Sequence, residues 1–172
     1  MRLSGFAKMA AAGMMAVAMK APGMMKAQAG GDMVQKPMDM QKLMAATVFY
    51  RGQLAPTQLR NSGGVKFSDG FFVLASLVDT SGYSTGVQAK YQAYFITEVP
   101  LKVGGEKLPA GVYGVGFVGN KFVVTDVGAH DVLTVGANED AGLKRPMPLQ
   151  VVANTAGGFR LYCGRKYVSF SR

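Results

Sequence analysis

The single histidine of the chain, His130, lies between two carboxylates, Asp126 and Asp131. Imidazole and carboxylate groups bind zinc, and oxygen-rich sites bind calcium. A histidine beside an aspartate also serves as the base of many hydrolases, but it then needs a nucleophile within hydrogen-bond reach. The sequence contains no nucleophile elbow, phosphate-binding loop or HExxH motif. A metal site and a small hydrolase are therefore hypotheses, and a loop whose aspartates bind its own amides is the simpler interpretation.

Thioether groups form a second set of candidate metal ligands near the amino terminus. They belong to Met33, Met38, Met40 and Met44. Thioethers are soft ligands that favour Cu(I), so this segment predicts a periplasmic copper-binding protein as an alternative function. Methionine is also frequent before residue 30, however, so a simple compositional bias explains the same residues.

Basic residues are concentrated in the last part of the chain. Residues 141–172 contain six Lys and Arg side chains and no Asp or Glu. Aromatic residues alternate with these charges, which is typical of surfaces that bind polyanions. An envelope lipid or polysaccharide is the expected polyanion, rather than a specific nucleic acid, and strand ends protected against edge pairing are the alternative. The candidate binding residues are Lys144, Arg145, Arg160, Arg165 and Lys166.

The strand predicted over residues 112–118 has one bulky face and one nearly bare face. Successive strand residues point to opposite sides, so Tyr113, Val115 and Phe117 share one face. Gly114 and Gly116 lie on the other face. Glycine inside a strand indicates a bend or the close approach of a backbone or ligand. This face is therefore a candidate for a ligand or a neighbouring subunit.

Composition predicts one folded domain after an export signal. The chain has 172 residues, 49% hydrophobic and 17% charged, which excludes general disorder. Residues 9–19 form an apolar run that follows Arg2 and Lys8 and precedes Ala27-Gln28-Ala29. This layout is that of a signal peptide over residues 1–29, and its apolar run is too short for a membrane span. We expect a periplasmic or extracellular protein with no transmembrane segment after cleavage.

Removal of the signal peptide would leave 15 Lys and Arg residues against 10 Asp and Glu residues, a net charge of +5. Cys163 is the one cysteine, so no disulfide can form within the chain. A small buried hydrophobe is the expected role of Cys163, with a reactive thiol or a bridge between chains as the alternative. No cofactor is predicted.

The pattern of strands predicts an all-β fold. Residues 30–46 are polar and Met-rich and predict a flexible tail, in which Pro37 can begin a short helix. Residues 47–172 then contain about nine short apolar runs separated by glycine-rich turns. The longest predicted strand covers residues 87–99, where alternation is clear. This spacing predicts an antiparallel β-sandwich, or a small barrel, as a single β domain.

One hairpin resembles a known element. Residues 102–113 read KVGGEKLPAGVY, which is similar to the K-V-G-G-x-x-L-P-A-G-x-Y hairpin of exported bacterial β-sandwich domains, including prealbumin-like and carboxypeptidase-regulatory-like domains. Pro109 fixes its own backbone on entry to the turn, Gly111 permits a left-handed conformation, and Tyr113 is expected in the core. The resemblance implies a sandwich and carries over no catalytic residue.

Together these features favour an exported, non-catalytic protein that binds a ligand or assembles into a larger structure, by self-association or on an envelope polyanion. Periplasmic copper binding is the alternative, and a small hydrolase is the third hypothesis.

Overall fold

The protein is a two-layered antiparallel β-sandwich. The computed structural model describes residues 31–172, and the predicted signal peptide lies outside them. The strands form two sheets that do not close into a barrel, so the prediction of an all-β sandwich is confirmed and the barrel alternative is not. Neither helix in residues 31–172 has the length and hydropathy needed to cross a membrane.

Eight strands form the first sheet, in the order β1-β3-β4-β5-β8-β9-β10, with β2 paired to the first part of β3. All of these pairings are antiparallel. The strands are β1 (Met33–Gln35), β2 (Thr47–Tyr50), β3 (Gln53–Lys66), β4 (Phe72–Val78), β5 (Ala93–Thr97), β8 (Gly111–Val118), β9 (Lys121–Thr125) and β10 (Asp131–Gly136).

Six strands form the second sheet, in the order β12-β13-β14-β6-β7, with β11 paired to β14. Its strands are β6 (Leu101–Val103), β7 (Glu106–Leu108), β11 (Asn138–Glu139), β12 (Gln150–Ala153), β13 (Phe159–Cys163) and β14 (Lys166–Ser171). The two helices are α1 (Pro37–Leu43), which packs on β3, and α2 (Thr85–Lys90), which packs on β8 and β9.

The main core lies between the sheets and follows strand alternation. Tyr113 and Val115 point into it as predicted, and Phe122 and Val124 of β9 do the same. The segment 101–125 changes sheet at Pro109-Ala110, so β6 and β7 belong to the second sheet and β8 and β9 to the first. The Tyr113 hydroxyl donates a hydrogen bond to the Pro109 carbonyl at 3.0 Å.

Gly111 does not adopt the conformation predicted for it. Its backbone is not left-handed. A Cβ there would lie 3.0 Å from the Tyr113 hydroxyl oxygen and 3.1 Å from the ring carbon beside it. The folded-back Tyr113 side chain, rather than the turn conformation, therefore leaves little room for a side chain at this position.

The segment predicted as a flexible tail is structured. β1 pairs with β3 through Met33↔Lys66, and α1 begins at Pro37 as the proline indicated. Met40 is completely buried against Leu74. Packing accounts for Met40 and Met44, which are buried, and the β structure begins at Met33 rather than at residue 47.

The strand predicted over residues 87–99 is wrong in its first half. Residues 85–90 form α2, and only Ala93–Thr97 form a strand. Val87 and Tyr91, four residues apart, are both buried in one cluster. In this stretch the same apolar residues fit both the alternation of a strand and the i, i+4 spacing of one helix face.

The sheets contain more strands than the nine predicted. β3 was missed between residues 53 and 64 because this stretch includes Pro56 and several polar residues. Other additional strands, such as β11, are only two or three residues long. β3 and β4 form a hairpin that turns at Ser68-Asp69-Gly70, with Lys66 paired to Phe72.

Candidate functional site

The bare face of β8 is filled by the protein itself. A Cβ at Gly116 would lie 2.6 Å from the carbonyl oxygen of Lys90, at the end of α2. At Gly114 it would lie 2.6 Å from the ring of Tyr50 and 2.8 Å from that of Tyr91. The close backbone approach expected from these glycines is present, but it comes from α2 of the same chain. The proposed open face for a ligand or subunit at Gly114 and Gly116 is therefore not present.

A cluster of buried tyrosines occupies this outer side of the first sheet. The tyrosine cluster consists of Tyr50, Tyr83 and Tyr91, with Tyr50 and Tyr91 stacked at 3.7 Å between ring centroids. Tyr83 meets both rings edge-on, and its hydroxyl donates to the Tyr50 carbonyl at 2.9 Å. Burial raises the pKa of all three phenols.

Two of the three tyrosine hydroxyls in the cluster form hydrogen bonds and the third does not. Tyr50 and Thr125 share a hydrogen bond of 2.7 Å, and the Thr125 hydroxyl donates to the Gly114 carbonyl at 3.0 Å. The Tyr91 hydroxyl is buried without a hydrogen-bond partner among residues 31–172. Because an unsatisfied buried hydroxyl costs free energy, Tyr91 contributes through its ring and not through its oxygen.

Two strained turns meet beside the tyrosine cluster. Arg51, in the β2–β3 turn, has φ 44°, and Ala129, in the β9–β10 turn, has φ 69°. They are the only residues other than glycine with positive φ in the described part of the chain. The turns are joined by a hydrogen bond of 2.7 Å from the Arg51 amide to the Val127 carbonyl.

A polar pocket of about 180 Å³ lies at this junction, and we call it the turn pocket. Buried Tyr50 and Thr125 lie at its base. Lys90 of α2 and Ser84, the residue before α2, line one side. Arg51 and Ala129 of the two turns also line it.

The charges around the turn pocket are partly compensated. The Lys90 ammonium donates to both carboxylate oxygens of Asp131 at 2.7 Å. The Arg51 guanidinium makes no hydrogen bond or ion pair with any other residue from 31 to 172. Arg51 is therefore the positive charge of this site that is free to contact a ligand.

The predicted metal and hydrolase residues are only partly brought together. The Asp126 carboxylate accepts hydrogen bonds from the backbone amide of His130 at 2.9 Å and of Gly128 at 2.9 Å, and it contacts His130 Nδ1 at 3.0 Å. These hydrogen bonds hold the pKa of the Asp126 carboxyl below its usual range, and the hydrogen bond from the His130 amide has the largest effect. Asp131 is instead bound by Lys90.

Asp126 thus binds the amides of its own turn, as the simpler interpretation expected. Within residues 31–172, no three His, Cys, Asp or Glu side chains form a group that could hold a metal ion. The His130 side chain is 82% exposed, and no hydroxyl or thiol of the described residues is hydrogen-bonded to its ring.

The four predicted copper ligands are divided between core and surface. Met40 and Met44 are buried with Leu74, whereas Met33 is 60% and Met38 is 80% exposed. The buried pair fills space between α1 and the first sheet. The described structure therefore gives no converging set of thioethers.

Three of the five predicted polyanion-binding residues have partners within the protein. Arg160 lies over the ring of Tyr167 at 4.6 Å, and Lys166 donates to the Gly119 carbonyl at 2.6 Å. Arg165 donates to the carbonyls of Ala141 and Leu143 at 3.0 and 2.7 Å, which holds the loop before β12. Lys144 and Arg145 are in that loop, and both are exposed.

Sequence reasoning did not find the turn pocket. Its residues come from three separate segments, 50–51, 84–90 and 125–129, and none carries a recognisable motif. One usable signal was Arg51-Gly52 between two β-forming runs, because a two-residue hairpin turn favours Asn or Gly where this chain has Arg.

Cys163 is half-buried, and burial raises the pKa of its thiol.

Comparisons of the chain with family models, with curated proteins and with solved structures found no match.

Proposed function

We propose that the protein is exported and acts as a non-catalytic binding protein, with the turn pocket as the site for a small ligand that carries an anionic group. The observation that supports this most strongly is the conformation of Arg51. Its side chain is presented from a turn position that ordinarily takes glycine or asparagine, and it has no partner in residues 31–172.

The backbone of Arg51 costs free energy that another residue would avoid. A left-handed conformation costs a residue with a Cβ about 1 to 2 kcal/mol, whereas glycine adopts it freely. Such strained residues cluster at functional sites because the side chain is needed where the backbone places it. Ala129 adds a second strained position on the same pocket.

The pocket is also well suited to hold a ligand in one position. Its base is fixed by the Tyr50–Thr125 hydrogen bond and by the stacked ring of Tyr91. Lys90 is fixed by Asp131. A site that is ordered before binding loses little entropy when the ligand enters. A phosphate or carboxylate group would pair with the guanidinium of Arg51, which offers five N–H donors.

Titration of the protein with inorganic phosphate, followed by amide chemical shifts, tests the pocket. We expect shifts at Arg51, Ser84 and Gly86, and about tenfold weaker binding in Arg51→Gln, because a charge-assisted hydrogen bond is lost. Arg60→Gln removes the same charge from an exposed position on β3 and serves as the matched control. Equal weakening by both substitutions, or no shift at these amides, would contradict the proposal.

Export is tested separately. The apolar run at residues 9–19 and the Ala27-Gln28-Ala29 sequence support cleavage after residue 29. Mass spectrometry of the protein recovered from the periplasm or the medium should give a mature chain beginning at Gly30. A protein retained in the cytoplasm with residues 1–29 intact would overturn this part of the proposal and leave the ligand site unaffected.

A further inference from the structure

The two sheets differ in what lies on their outer sides. α1 packs on β3, and α2 packs on β8 and β9, so both helices lie against the first sheet. The outward side of the second sheet carries neither helix, and we call it the open face. Leu161 of β13 and Val168 of β14 are buried in the core between the sheets, so their neighbours in sequence point outward. These neighbours are Arg160, Tyr162, Tyr167 and Ser169.

Three cationic side chains lie on the open face. Leu101 and Leu108 are core residues, so Lys102 and Lys107 beside them also point outward, and both lysines are exposed. Arg160 is the third cation and is half-buried. The three charges are distributed over the adjacent strands β13, β14, β6 and β7, a distance of about 15 Å. They therefore form an extended positive surface rather than a single anion site.

The protein neutralises little of this charge. Lys102 and Lys107 form no ion pair or side-chain hydrogen bond within residues 31–172. The Arg160 guanidinium donates one hydrogen bond, of 3.3 Å, to the Tyr162 hydroxyl, and its Nε is buried without a partner in the same residues. Asp140 lies beside this face and accepts a hydrogen bond from the Tyr162 hydroxyl at 3.0 Å. Among the outward side chains of the second-sheet strands, all within the described residues, there is no Asp or Glu.

Protection of a sheet edge explains only one of the two lysines. Lys102 and Lys107 are directly opposite each other, where like charges are destabilising. β7 is the last strand of the second sheet, and an edge lysine discourages pairing with other chains. β6, in contrast, is paired with both β7 and β14. Lys102 thus has no edge to protect, and its charge on the open face needs another reason.

The side chains between the cations are mainly polar. Ser169 is directly opposite Arg160, and Ser171 is directly opposite Lys102. Val152 is the one aliphatic side chain among the outward residues of these strands, and it is half-buried. A protein surface that enters a membrane interface inserts apolar side chains. The composition of the open face therefore favours a hydroxyl-rich polyanion over a lipid surface.

The aromatic rings of the open face are covered by their neighbours. The Arg160 guanidinium lies 4.6 Å from the centre of the Tyr167 ring, and the Tyr162 and Tyr167 ring centroids are 5.0 Å apart. Tyr162 is only 3% exposed. Proteins that bind single-stranded nucleic acids stack the bases on accessible aromatic rings. These rings instead hold Arg160 in position, which favours a polymer recognised by its charges and hydroxyls.

We propose that the open face binds a linear polysaccharide with carboxylate groups on its sugars. The carboxylates pair with Lys102, Lys107 and Arg160, and the sugar hydroxyls contact Ser169 and Ser171. A polymer that meets several cations at once binds more tightly than one of its sugars. Of the five basic residues predicted to bind a polyanion, Arg160 alone lies on this face. The turn pocket is on the first sheet, so either proposal can fail without the other.

Polygalacturonate is a suitable probe, with binding measured by calorimetry and by amide shifts of β6, β13 and β14. Binding should weaken as salt is added, because the charges are exposed. The double variant Lys102→Gln/Lys107→Gln should bind about tenfold more weakly, as expected for the loss of two exposed ion pairs. The matched control Lys42→Gln/Lys121→Gln removes two exposed lysines, from α1 and β9, and should bind as the parent does.

Two further probes separate the charge of the ligand from its length. Fully methyl-esterified polygalacturonate has the chain without the charge, and galacturonate has the charge without the chain. Both should bind at least tenfold more weakly than polygalacturonate. Equal binding of the methyl ester, equal weakening in both double variants, or no binding of polygalacturonate would overturn the proposal. Tighter binding to a DNA oligonucleotide or to vesicles of anionic lipid would also overturn it, in favour of that partner.

Discussion

Replacing Gly116 by valine should lower the free energy of unfolding by about 3 kcal/mol or prevent folding. A Cβ at this position would lie 2.6 Å from the carbonyl oxygen and 2.8 Å from the carbonyl carbon of Lys90. These are backbone atoms, so the clash cannot be relieved by a side-chain rotation. α2 would have to move away from β8, and with it Val87 and Tyr91 would leave their buried positions.

Gly136→Val is the matched control for this substitution. Gly136 is also in a strand, its φ is not positive, and a Cβ there would have no atom within 4 Å. Valine favours strands, so this variant should be at least as stable as the parent. Urea unfolding of the two variants measures the difference. Similar stabilities would mean that α2 does not lie against Gly116.

The loss of stability at alkaline pH should begin near pH 10, where tyrosines ionise in the unfolded chain. Burial raises the pKa of Tyr50, Tyr83 and Tyr91 in the folded state. In the unfolded chain these phenols ionise at about pH 10. Above that pH the unfolded state loses protons that the folded state keeps, so the free energy of unfolding falls as the pH rises. Below pH 10 this contribution to stability is fully present.

Tyr91→Phe is the variant that isolates this effect. It removes a buried hydroxyl without a hydrogen-bond partner and should raise the free energy of unfolding by about 1 kcal/mol at neutral pH. It should also shift the alkaline transition to higher pH, because one ionisable phenol fewer is buried. Circular dichroism and tyrosinate absorbance against pH provide the measurement, best made in a Cys163→Ala background because burial also raises the pKa of that thiol. Tyrosinate appearing in full before the fold is lost would show that the cluster is open to solvent.

The sequence predicts the layers of this fold better than their contacts. Alternation in β8 correctly assigns Tyr113 and Val115 to the core, because each strand residue has only two possible directions. Glycine at 114 and 116 correctly indicates a close approach. The identity of the approaching element was not predictable, because α2 is six residues long and its Val87-x-x-x-Tyr91 spacing also fits a strand.

The candidate site shows the same limit. Arg51 and Ala129 are distant in the chain. The pairing of β2 with β3 and of β9 with β10 forms their turns, and the hydrogen bond from the Arg51 amide to the Val127 carbonyl joins the two turns. Arg160, Arg165 and Lys166, in contrast, were singled out by charge alone. Charge in a sequence does not indicate whether a side chain is free to meet a partner or is bound within the protein, as Arg165 is by its hydrogen bond to the Leu143 carbonyl.

The change of sheet at Pro109-Ala110 bears on the cooperativity of folding. Because β6 and β7 belong to the second sheet but precede β8 to β10 of the first, no continuous stretch of the described chain contains one whole sheet without part of the other. Cleavage of the chain in the β9–β10 turn would give two fragments. The first would contain the first sheet without β10, and the second would contain β11 to β14 without β6. Neither layer can be completed as an independent folding unit, and loss of one carries the other with it, which is the condition for a single two-state transition.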